Sequence, residues 1–394
     1  MHHVVVSGLG PAGATLLYEL ASRGYSVLGI DRERFPRYKS CGGCISTKID
    51  TLKGLDLKPL IETPVYGATF SYRQDRYVDI FSDEPVAYNV KRDLFDAYLV
   101  ERAKKAGATV IEGCKVEDFL EEKDHIRVVC EGGKSFSARF FVCADGAGSL
   151  VARKHFSLNP KEFGISYTME IPVDEAETEK MLGTLYIDFG EVPFGYGWIF
   201  PKKGLLSVGV AGESKKCKGR LRQDFEKFLQ NHKILAGRAL KEKVHGWMLP
   251  IYHSDGHPVI KGRALAVGDA AHLVDPFLGE GIYYAMASAQ AAAESIIEAI
   301  EENTTGFESY REYLKREFYP EFRALSKLAG LVYTHPRLWY RMVEKEPQIM
   351  LRYYDVIRGR RRADEFYRWV LSKVIKKPWK VLRRWLEDKF LRTG

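Results

Sequence analysis

A glycine-rich turn formed by Gly8, Gly10 and Gly13 lies near the start of the chain and limits the folds that are open to it. A β-branched apolar segment, 4–7, leads into this turn, and an Ala- and Leu-rich stretch, 14–22, follows it. In such a turn the first glycine permits a tight bend, the second lets a diphosphate approach the backbone, and the third lets strand and helix pack closely. Strand, turn and helix therefore predict a site that binds the diphosphate of a dinucleotide at a helix N-terminus.

A second apolar segment, 26–30, follows the helix and ends at Asp31, which lies 18 residues beyond Gly13. The two apolar segments and the helix between them make a βαβ unit, in which an acid after the second strand accepts hydrogen bonds from a ribose. We therefore predict that Asp31 binds a ribose. The unit by itself does not separate FAD from NAD.

Two later segments favour a flavin. The first, 140–149, is an apolar strand that ends in Asp-Gly, and the second, 264–282, is a strand followed by Gly-Asp, a glycine turn and a helix start. The acid of the second segment can hold ribityl hydroxyls, and its helix can direct a positive N-terminus at the pyrimidine side of a flavin. Each segment alone also fits an ordinary strand-turn-helix joint, but their order after the glycine turn favours FAD. The predicted contacts are Asp145, Gly146, Gly268, Asp269, Gly281 and Ile282.

Over roughly residues 1–300, these three motifs resemble the flavoprotein superfamily that contains p-hydroxybenzoate hydroxylase, the flavin halogenases and the geranylgeranyl reductases. The resemblance implies that all three motifs bind FAD. It further implies that Arg92 lies near the flavin diphosphate and ribityl chain, and that the backbone of Val116 meets the adenine. The alternatives are a surface charge on a helix for Arg92 and apolar packing for Val116.

One loop points to the geranylgeranyl reductases within this superfamily. Residues 35–44 resemble the cysteine-glycine-glycine loop that these reductases place beside the isoalloxazine ring, which adds Cys41 and Gly42 to the implied FAD contacts. A zinc site is a poor alternative, because the pair Cys41 and Cys44 has no second pair at a suitable spacing, and we expect no metal. A redox dithiol stays open, although the glycines do not favour the helix that such a motif normally opens.

An aromatic segment, 194–201, also points to the reductases, because it resembles their Tyr-x-Trp-x-Phe-Pro motif. The flavin halogenases carry Trp-x-Trp-x-Ile-Pro in the equivalent region, and Tyr196 and Phe200 depart from that pattern. This departure argues against halogenation. We predict Cys41, Tyr196 and Trp198 as residues that shape the catalytic site or relay a proton, with an aromatic strand packed on a core as the alternative for Trp198.

The expected fold class is α/β, with a Rossmann-type FAD-binding domain, an inserted antiparallel β-sheet substrate domain and a C-terminal helical region. Short segments of alternating polarity and a stretch rich in Tyr, Phe and Gly predict the inserted sheet. The predicted boundaries are 1–66, 89–163 and 251–300 for the FAD-binding domain, 67–88 and 164–250 for the substrate domain, and 301–394 for the helical region.

The positive charge is concentrated at the end of the chain. The net charge is +8, and residues 352–394 hold 14 basic and 5 acidic side chains, which leaves the rest of the chain nearly neutral. A nucleic-acid-binding protein more often spreads its positive charge over a folded face, so we expect no nucleic-acid partner. In the tail, apolar residues at helical spacing after Pro378 are flanked by cations, which predicts either a peripheral membrane helix or a helix docked on the protein's own core.

The resemblance implies an FAD-dependent reductase, a lipid-metabolism enzyme that hydrogenates carbon-carbon double bonds of a polyprenyl chain on a lipid, quinone or chlorophyll precursor. The electron donor is open between NAD(P)H, ferredoxin and a deazaflavin. One alternative is a flavin monooxygenase of an aromatic or lipid substrate, and another is a prenyl-binding escort protein without redox activity. Six irregularly spaced cysteines and a start without a secretory leader predict a cytoplasmic protein, peripheral at the membrane if the tail helix binds lipid.

Overall fold

The structure, a computed structural model, describes residues 1–238 and 241–376, with side chains described as far as residue 373. The basic tail after residue 376, including the helix predicted to start at Pro378, lies outside the described residues. Among the helices that are described, none combines the length and the apolar composition needed to cross a bilayer.

The first three-quarters of the described chain contain all the strands listed here, and the last part is helical. The strands are β1 (His2–Ser7), β2 (Val27–Asp31), β3 (Cys44–Ser46), β4 (Thr63–Val65), β5 (Gly67–Tyr72), β6 (Arg76–Phe81), β7 (Ala87–Asn89), β8 (Thr109–Glu112), β9 (Val116–Glu121), β10 (Ile126–Cys130), β11 (Ser135–Cys143), β12 (Gly164–Pro172), β13 (Thr184–Phe189), β14 (Gly195–Lys202), β15 (Leu205–Glu213), β16 (His245–Leu249), β17 (Ile260–Lys261) and β18 (Ala264–Ala266). The helices are α1 (Pro11–Ala21), α2 (Arg92–Lys105), α3 (Leu150–His155), α4 (Glu175–Glu179), α5 (Ser214–Cys217), α6 (Leu221–Asn231), α7 (Ile282–Glu301), α8 (Glu308–Tyr313), α9 (Tyr319–Thr334), α10 (Pro336–Lys345), α11 (Gln348–Ile357) and α12 (Ala363–Lys376).

The chain divides into two compact units, and each is made of three separate segments. The first unit consists of Met1–Lys39, Lys91–Phe163 and Met248–Pro320. The second consists of Ser40–Val90, Gly164–Trp247 and the described residues from Glu321 onward. The second unit therefore includes residues 40–66 and the later helices, which the sequence assigns to other domains. Because these units are groupings by packing, the functional domain boundaries stay a prediction.

The first unit is built on a sheet in the order β17-β18-β11-β1-β2-β8. From β18 to β8 all the strand pairs are parallel, and β17 adds an antiparallel edge. Val4, Val5 and Val6 of β1 are fully buried, as expected for a central parallel strand that is covered on both faces. The order β1, α1, β2, with β1 and β2 adjacent and parallel, confirms the predicted βαβ unit.

The second unit is built on a sheet in the order β16-β12-β15-β14-β13-β5-β6. The sequence predicts an antiparallel sheet, but β5 and β13 run parallel, with Phe70 opposite Ile187. The reason is their connection, which is more than a hundred residues long. A tight hairpin forces neighbouring strands to run antiparallel, whereas a long crossover allows a parallel pair.

The two faces of the seven-stranded sheet have different coverings. On one face, Phe225 and Phe228 of α6 pack in a core with Ile199 and Val208 of the sheet. Because side chains alternate along a strand, the opposite face receives every second residue of β14. We call this opposite face the front face, and its β14 residues are Tyr196, Trp198, Phe200 and Lys202.

Helices of the C-terminal region cover the outer part of the front face. The ring of Tyr340 in α10 lies 6.4 Å from that of Tyr72 in β5, and Tyr333 of α9 lies 6.4 Å from Phe189 of β13. Tyr72 and Phe189 are register partners, and Phe189 is also the partner of Tyr196. The aromatic side chains of three adjacent strands thus share one face beneath these helices.

Candidate functional site

The glycine turn has the geometry that its sequence predicts. Gly8 has a φ of +84°, and a Cβ added to it would lie 2.5 Å from the carbonyl oxygen of Ala144. A Cβ at Gly13 would overlap the carbonyl oxygen of Gly8. Gly10, in contrast, is open, since the nearest atom to its added Cβ is Nη2 of Arg37 at 3.9 Å. The turn therefore leaves one backbone face accessible, at the glycine that a diphosphate is expected to approach.

Asp31 holds this turn in place. Its two carboxylate oxygens accept hydrogen bonds from the backbone N–H groups of Leu9, at 2.6 Å, and Glu33, at 2.8 Å. Burial raises the pKa of the Asp31 carboxyl, and these two hydrogen bonds lower it. Each oxygen has a further lone pair, so the carboxylate can still accept a ribose hydroxyl. The carbonyl of Asp31 also accepts from the N–H of Cys114, two residues before the buried Val116.

A buried charge cluster adjoins the turn. The guanidinium of Arg92 makes two hydrogen bonds of 3.0 Å to the carboxylate of Asp96, which is fully buried. Arg37 makes a third contact with that carboxylate, at 2.9 Å. The alternative of a surface charge at Arg92 is wrong, because the residue is only 8% exposed.

Arg37 has an unpaired donor in this cluster. Its Nη1 is buried and has no hydrogen-bond partner among the described residues, while its Nη2 is the atom closest to the open side of Gly10. A buried donor without a partner costs about 1–3 kcal/mol, so the position favours an anionic ligand. No pattern in the sequence singles out Arg37, because its role depends on a partner, Asp96, that is 59 positions away.

The second motif is joined to the first by hydrogen bonds. Asp145 accepts from the hydroxyls of Ser7, at 2.9 Å, and Ser149, at 3.1 Å. The pKa of the Asp145 carboxyl is raised to about 6, mainly by burial and also by the charge of Asp31, against the lowering effect of these hydroxyls. The ends of β2 and β11 therefore bring Asp31 and Asp145 close enough to interact electrostatically.

The third motif meets the other two. A Cβ added to Gly268 would lie 3.2 Å from the Cβ of Ala12 in α1, and one added to Gly146 would lie 4.0 Å from the Cβ of Asp269. Within the third motif, a Cβ added to Gly281 would lie 3.3 Å from Oδ1 of Asp269. Burial raises the pKa of the Asp269 carboxyl, whereas the charges of Lys39 and Arg92 lower it. Helix α7 begins at Ile282 without a side-chain cap or an acid in its first turn. The three motifs, which are more than 100 residues apart in sequence, thus converge within the first unit.

In the second unit the two reductase-like segments also converge. A Cβ added to Gly42 would lie 2.7 Å from the ring of Phe200 and 3.2 Å from Nε1 of Trp198. The rings of Tyr196 and Trp198, and those of Trp198 and Phe200, are each 5.9 Å apart. Residues 41–43, which we call the cysteine loop, therefore lie against the aromatic row of the front face.

The cysteine loop also covers a lysine that the sequence did not single out. Lys202 is 1% exposed, and its Nζ lies 2.6 Å from the position of a Cβ added to Gly43, where φ is +65°. The N–H of Gly43 donates to Sγ of Cys41 at 3.4 Å. The alternation of Tyr196, Trp198 and Phe200 could have predicted that Lys202 lies on the same face, since Lys202 is the next residue in that series.

The parallel sheet with its glycine turn, together with the largely antiparallel second sheet, defines the fold of the FAD-dependent oxidoreductases. A family model described as "Lycopene cyclase protein" matches residues 3–370. The geranylgeranyl diphosphate reductase of Rhodobacter capsulatus is 30% identical over 304 residues, which cover 74% of this chain and 73% of the relative. The digeranylgeranylglycerophospholipid reductase of Methanocaldococcus jannaschii is 28% identical over 333 residues, with 80% and 82% covered.

A solved structure of a geranylgeranyl bacteriochlorophyll reductase-like protein from Thermoplasma acidophilum has a TM-score of 0.76 to this chain, at 23% identity and with 98% of each chain covered. The chain therefore belongs to the geranylgeranyl reductase family and also matches the family that the lycopene cyclase model describes, and it is an oxidoreductase. The predicted family and fold class are confirmed. The roles of the individual site residues stay predictions.

Proposed function

We propose that this oxidoreductase binds FAD in its first unit and hydrogenates carbon-carbon double bonds of a polyprenyl chain. The observation that carries the proposal is the contact between the cysteine loop and the aromatic row, because these are the two segments that resemble the reductases. Relatives named for the reduction of geranylgeranyl diphosphate and of a digeranylgeranyl phospholipid support the polyprenyl part.

The residues of the first unit fit FAD. The guanidinium of Arg37, whose Nη1 is unpaired and whose Nη2 lies nearest the open side of Gly10, would bind the diphosphate, with Arg92 nearby on the same carboxylate. Asp31 would accept the adenosine ribose hydroxyl, and Asp269 the ribityl hydroxyls. When it is bound and reduced, FAD supplies a hydride. These donors and acceptors match the charge and polarity of the diphosphate, the ribose and the ribityl chain.

The front face fits an unsaturated apolar chain. It offers the aromatic row of Tyr196, Trp198 and Phe200, and helices α9 and α10 cover its outer part. An isolated alkene has no carbonyl that could stabilise negative charge, so a proton has to reach one carbon as the other receives the hydride. The thiol of Cys41 and the hydroxyl of Tyr196 are our candidates for delivering that proton.

Anaerobic incubation of the protein with chemically reduced FAD is expected to add two mass units per double bond to geranylgeranyl lipids. Each reduction adds one hydride and one proton, and mass spectrometry of the extracted lipids reads the increment directly. A Cys41→Ser variant is the matched control, and we expect it to retain FAD and lose most of the activity. Unchanged lipid masses with the wild-type protein would contradict the proposal.

The monooxygenase alternative makes a different prediction in the same preparation. It requires oxygen, rapid oxidation of NAD(P)H in air and a flavin hydroperoxide intermediate, all of which stopped-flow absorbance can detect. The escort alternative predicts a colourless protein that binds a prenyl chain without FAD. A yellow protein that is inactive with oxygen and active without it would exclude both.

We further propose that the basic tail binds an anionic membrane surface, where a polyprenyl lipid would be encountered. Each Lys or Arg near such a surface contributes about 1 kcal/mol, so deleting the residues after 377 should weaken binding to phosphatidylserine vesicles at least about tenfold. Co-sedimentation measures this binding, and neutral phosphatidylcholine vesicles are the control. FAD content should stay unchanged. Equal vesicle binding with and without the tail would favour a helix docked on the protein itself.

A further inference from the structure

The buried position of Lys202 calls for a role beyond packing. Lys is almost never fully buried unless its ammonium is engaged, because transferring a charge from water to a protein interior costs several kcal/mol. Strand alternation places Lys202 on the front face beside Phe200, and its Nζ reaches the cysteine loop at Gly43. The amine of Lys202 is therefore held directly beneath this loop.

One N–H donor within the cysteine loop and another from the sheet beneath it lie near Cys41 or its neighbour Gly42. The N–H of Gly43 donates to the sulfur of Cys41, which makes that sulfur an acceptor. Nε1 of Trp198 lies 3.2 Å from the added Cβ of Gly42, and it is buried without a hydrogen-bond partner in the part of the chain that the structure describes. Hydrogen bonds to a sulfur and a nearby cation both favour its ionised form.

Other titratable groups around the loop are few or differently engaged. On the front face, strand alternation adds Glu170 of β12, which is partly exposed and so screened by water, and Tyr196 of β14. From β3 there is the thiol of Cys44. The hydroxyl of Tyr88 in β7 donates to Asp50 instead. Lys39, two residues before Cys41, is less buried, and its charge acts on Asp269. Of the groups named here, all in the described part of the chain, Lys202 is therefore the basic side chain that is fully buried.

We propose that Lys202 is a positioning residue for Cys41, whose ammonium lowers the proton affinity of the sulfur so that the thiol gives up its proton near neutral pH. The inference rests on the proposed function, in which a proton has to reach an alkene carbon. In that step the S–H bond breaks as the new C–H bond forms, and the thiolate regains a proton from water. A general acid works best when it exchanges its proton near the working pH.

The test is the pH dependence of Cys41 alkylation in the purified protein with its cofactor. Iodoacetamide reacts with the thiolate, and trypsin releases residues 40–48, a peptide that contains both Cys41 and Cys44. Fragmentation in the mass spectrometer then assigns the label to each cysteine. We expect half-maximal labelling of Cys41 at least about one pH unit below the value of about 8.5 for a free cysteine.

Replacing the lysine separates charge from shape. Lys202→Met should move the midpoint of Cys41 labelling up by about one pH unit, which lowers the rate of Cys41 alkylation at neutral pH roughly tenfold. Lys202→Arg should restore the wild-type midpoint. Cys44 is the internal control, and its labelling should not change. If Lys202→Met alters Cys44 labelling as well, Lys202→Gln replaces it as a polar, uncharged variant. Equal Cys41 midpoints in the wild-type protein and the uncharged variant would overturn the proposal.

This measurement needs no substrate. A shifted midpoint without alkene reduction would support the role of Lys202 and count against the proposed function. Alkene reduction with equal midpoints would support the function and remove Lys202 from it. The two proposals can therefore fail separately.

Discussion

Replacing Arg37 with methionine is expected to weaken FAD binding about 10- to 100-fold. The variant loses a guanidinium whose buried Nη1 has no partner among the described residues and therefore fits a ligand oxygen beside Gly10. A hydrogen bond from a charged group contributes about 1.5–3 kcal/mol, and each 1.4 kcal/mol corresponds to a factor of ten in affinity. Quenching of FAD fluorescence on binding to protein stripped of cofactor measures the dissociation constant.

Two further variants test the reason for this loss. Arg37→Lys should recover only part of the affinity, because one ammonium cannot reproduce the fork that contacts Asp96 and still reaches a ligand. Arg127→Met is the matched control, since Arg127 is an exposed arginine of the same unit that pairs with Glu122 at 2.9 Å. It should bind FAD like the wild-type protein. Wild-type affinity in Arg37→Met would assign the unpaired donor to an ordered water instead.

The substitution Gly209→Val is expected to lower the rate of alkene reduction by at least about 100-fold while FAD content is retained. Gly209 is the register partner of Trp198, and its added Cβ would overlap the indole ring, with Cη2 at 2.6 Å. The ring must therefore leave its position against the cysteine loop. A displacement of about 1 Å at a positioned group can cost 100-fold in rate, and overpacking a core typically costs about 1–3 kcal/mol of stability. Anaerobic turnover and urea unfolding measure the two effects.

The double variant Gly209→Val with Trp198→Leu separates activity from packing. The smaller side chain makes room for valine, so most of the lost stability should return. Activity should not return, because the indole ring that lies against the loop is gone. If the double variant regained full activity, Trp198 would be an aromatic residue of the core and no part of the site.

Local spacing made much of the first unit predictable. The glycines of the turn and Asp31 lie within one βαβ unit, where strand, helix and turn geometry fix their relative positions. Asp145 and Asp269 follow the ends of neighbouring parallel strands, and such ends meet at one edge of a sheet. For these residues, the positions of the motifs after their strands are therefore enough to predict that they lie at one edge of the sheet.

Contacts between distant segments could not be predicted in the same way. The pairing of Arg37 with Asp96 depends on how α2 packs, and a lysine at position 202 looks like the end of a strand until the cysteine loop is seen to cover it. The parallel pair of β5 and β13 also has no local signal, because each strand alone is compatible with either direction. The resemblance supplied the roles of the cysteine loop and the aromatic row, but not their contact.

The interleaving of the two units has a consequence for how the chain acquires its structure during synthesis. Each unit contains segments from the beginning, the middle and the last third of the described chain. A ribosome must therefore make about 320 residues before either hydrophobic core can be completed, and both cores depend on long-range contacts that form slowly. The usual order, in which an N-terminal domain folds before the next one emerges, is not available to this chain. Its early strands, including the apolar β1, therefore stay exposed for most of translation, and chaperone binding would be needed most during that period.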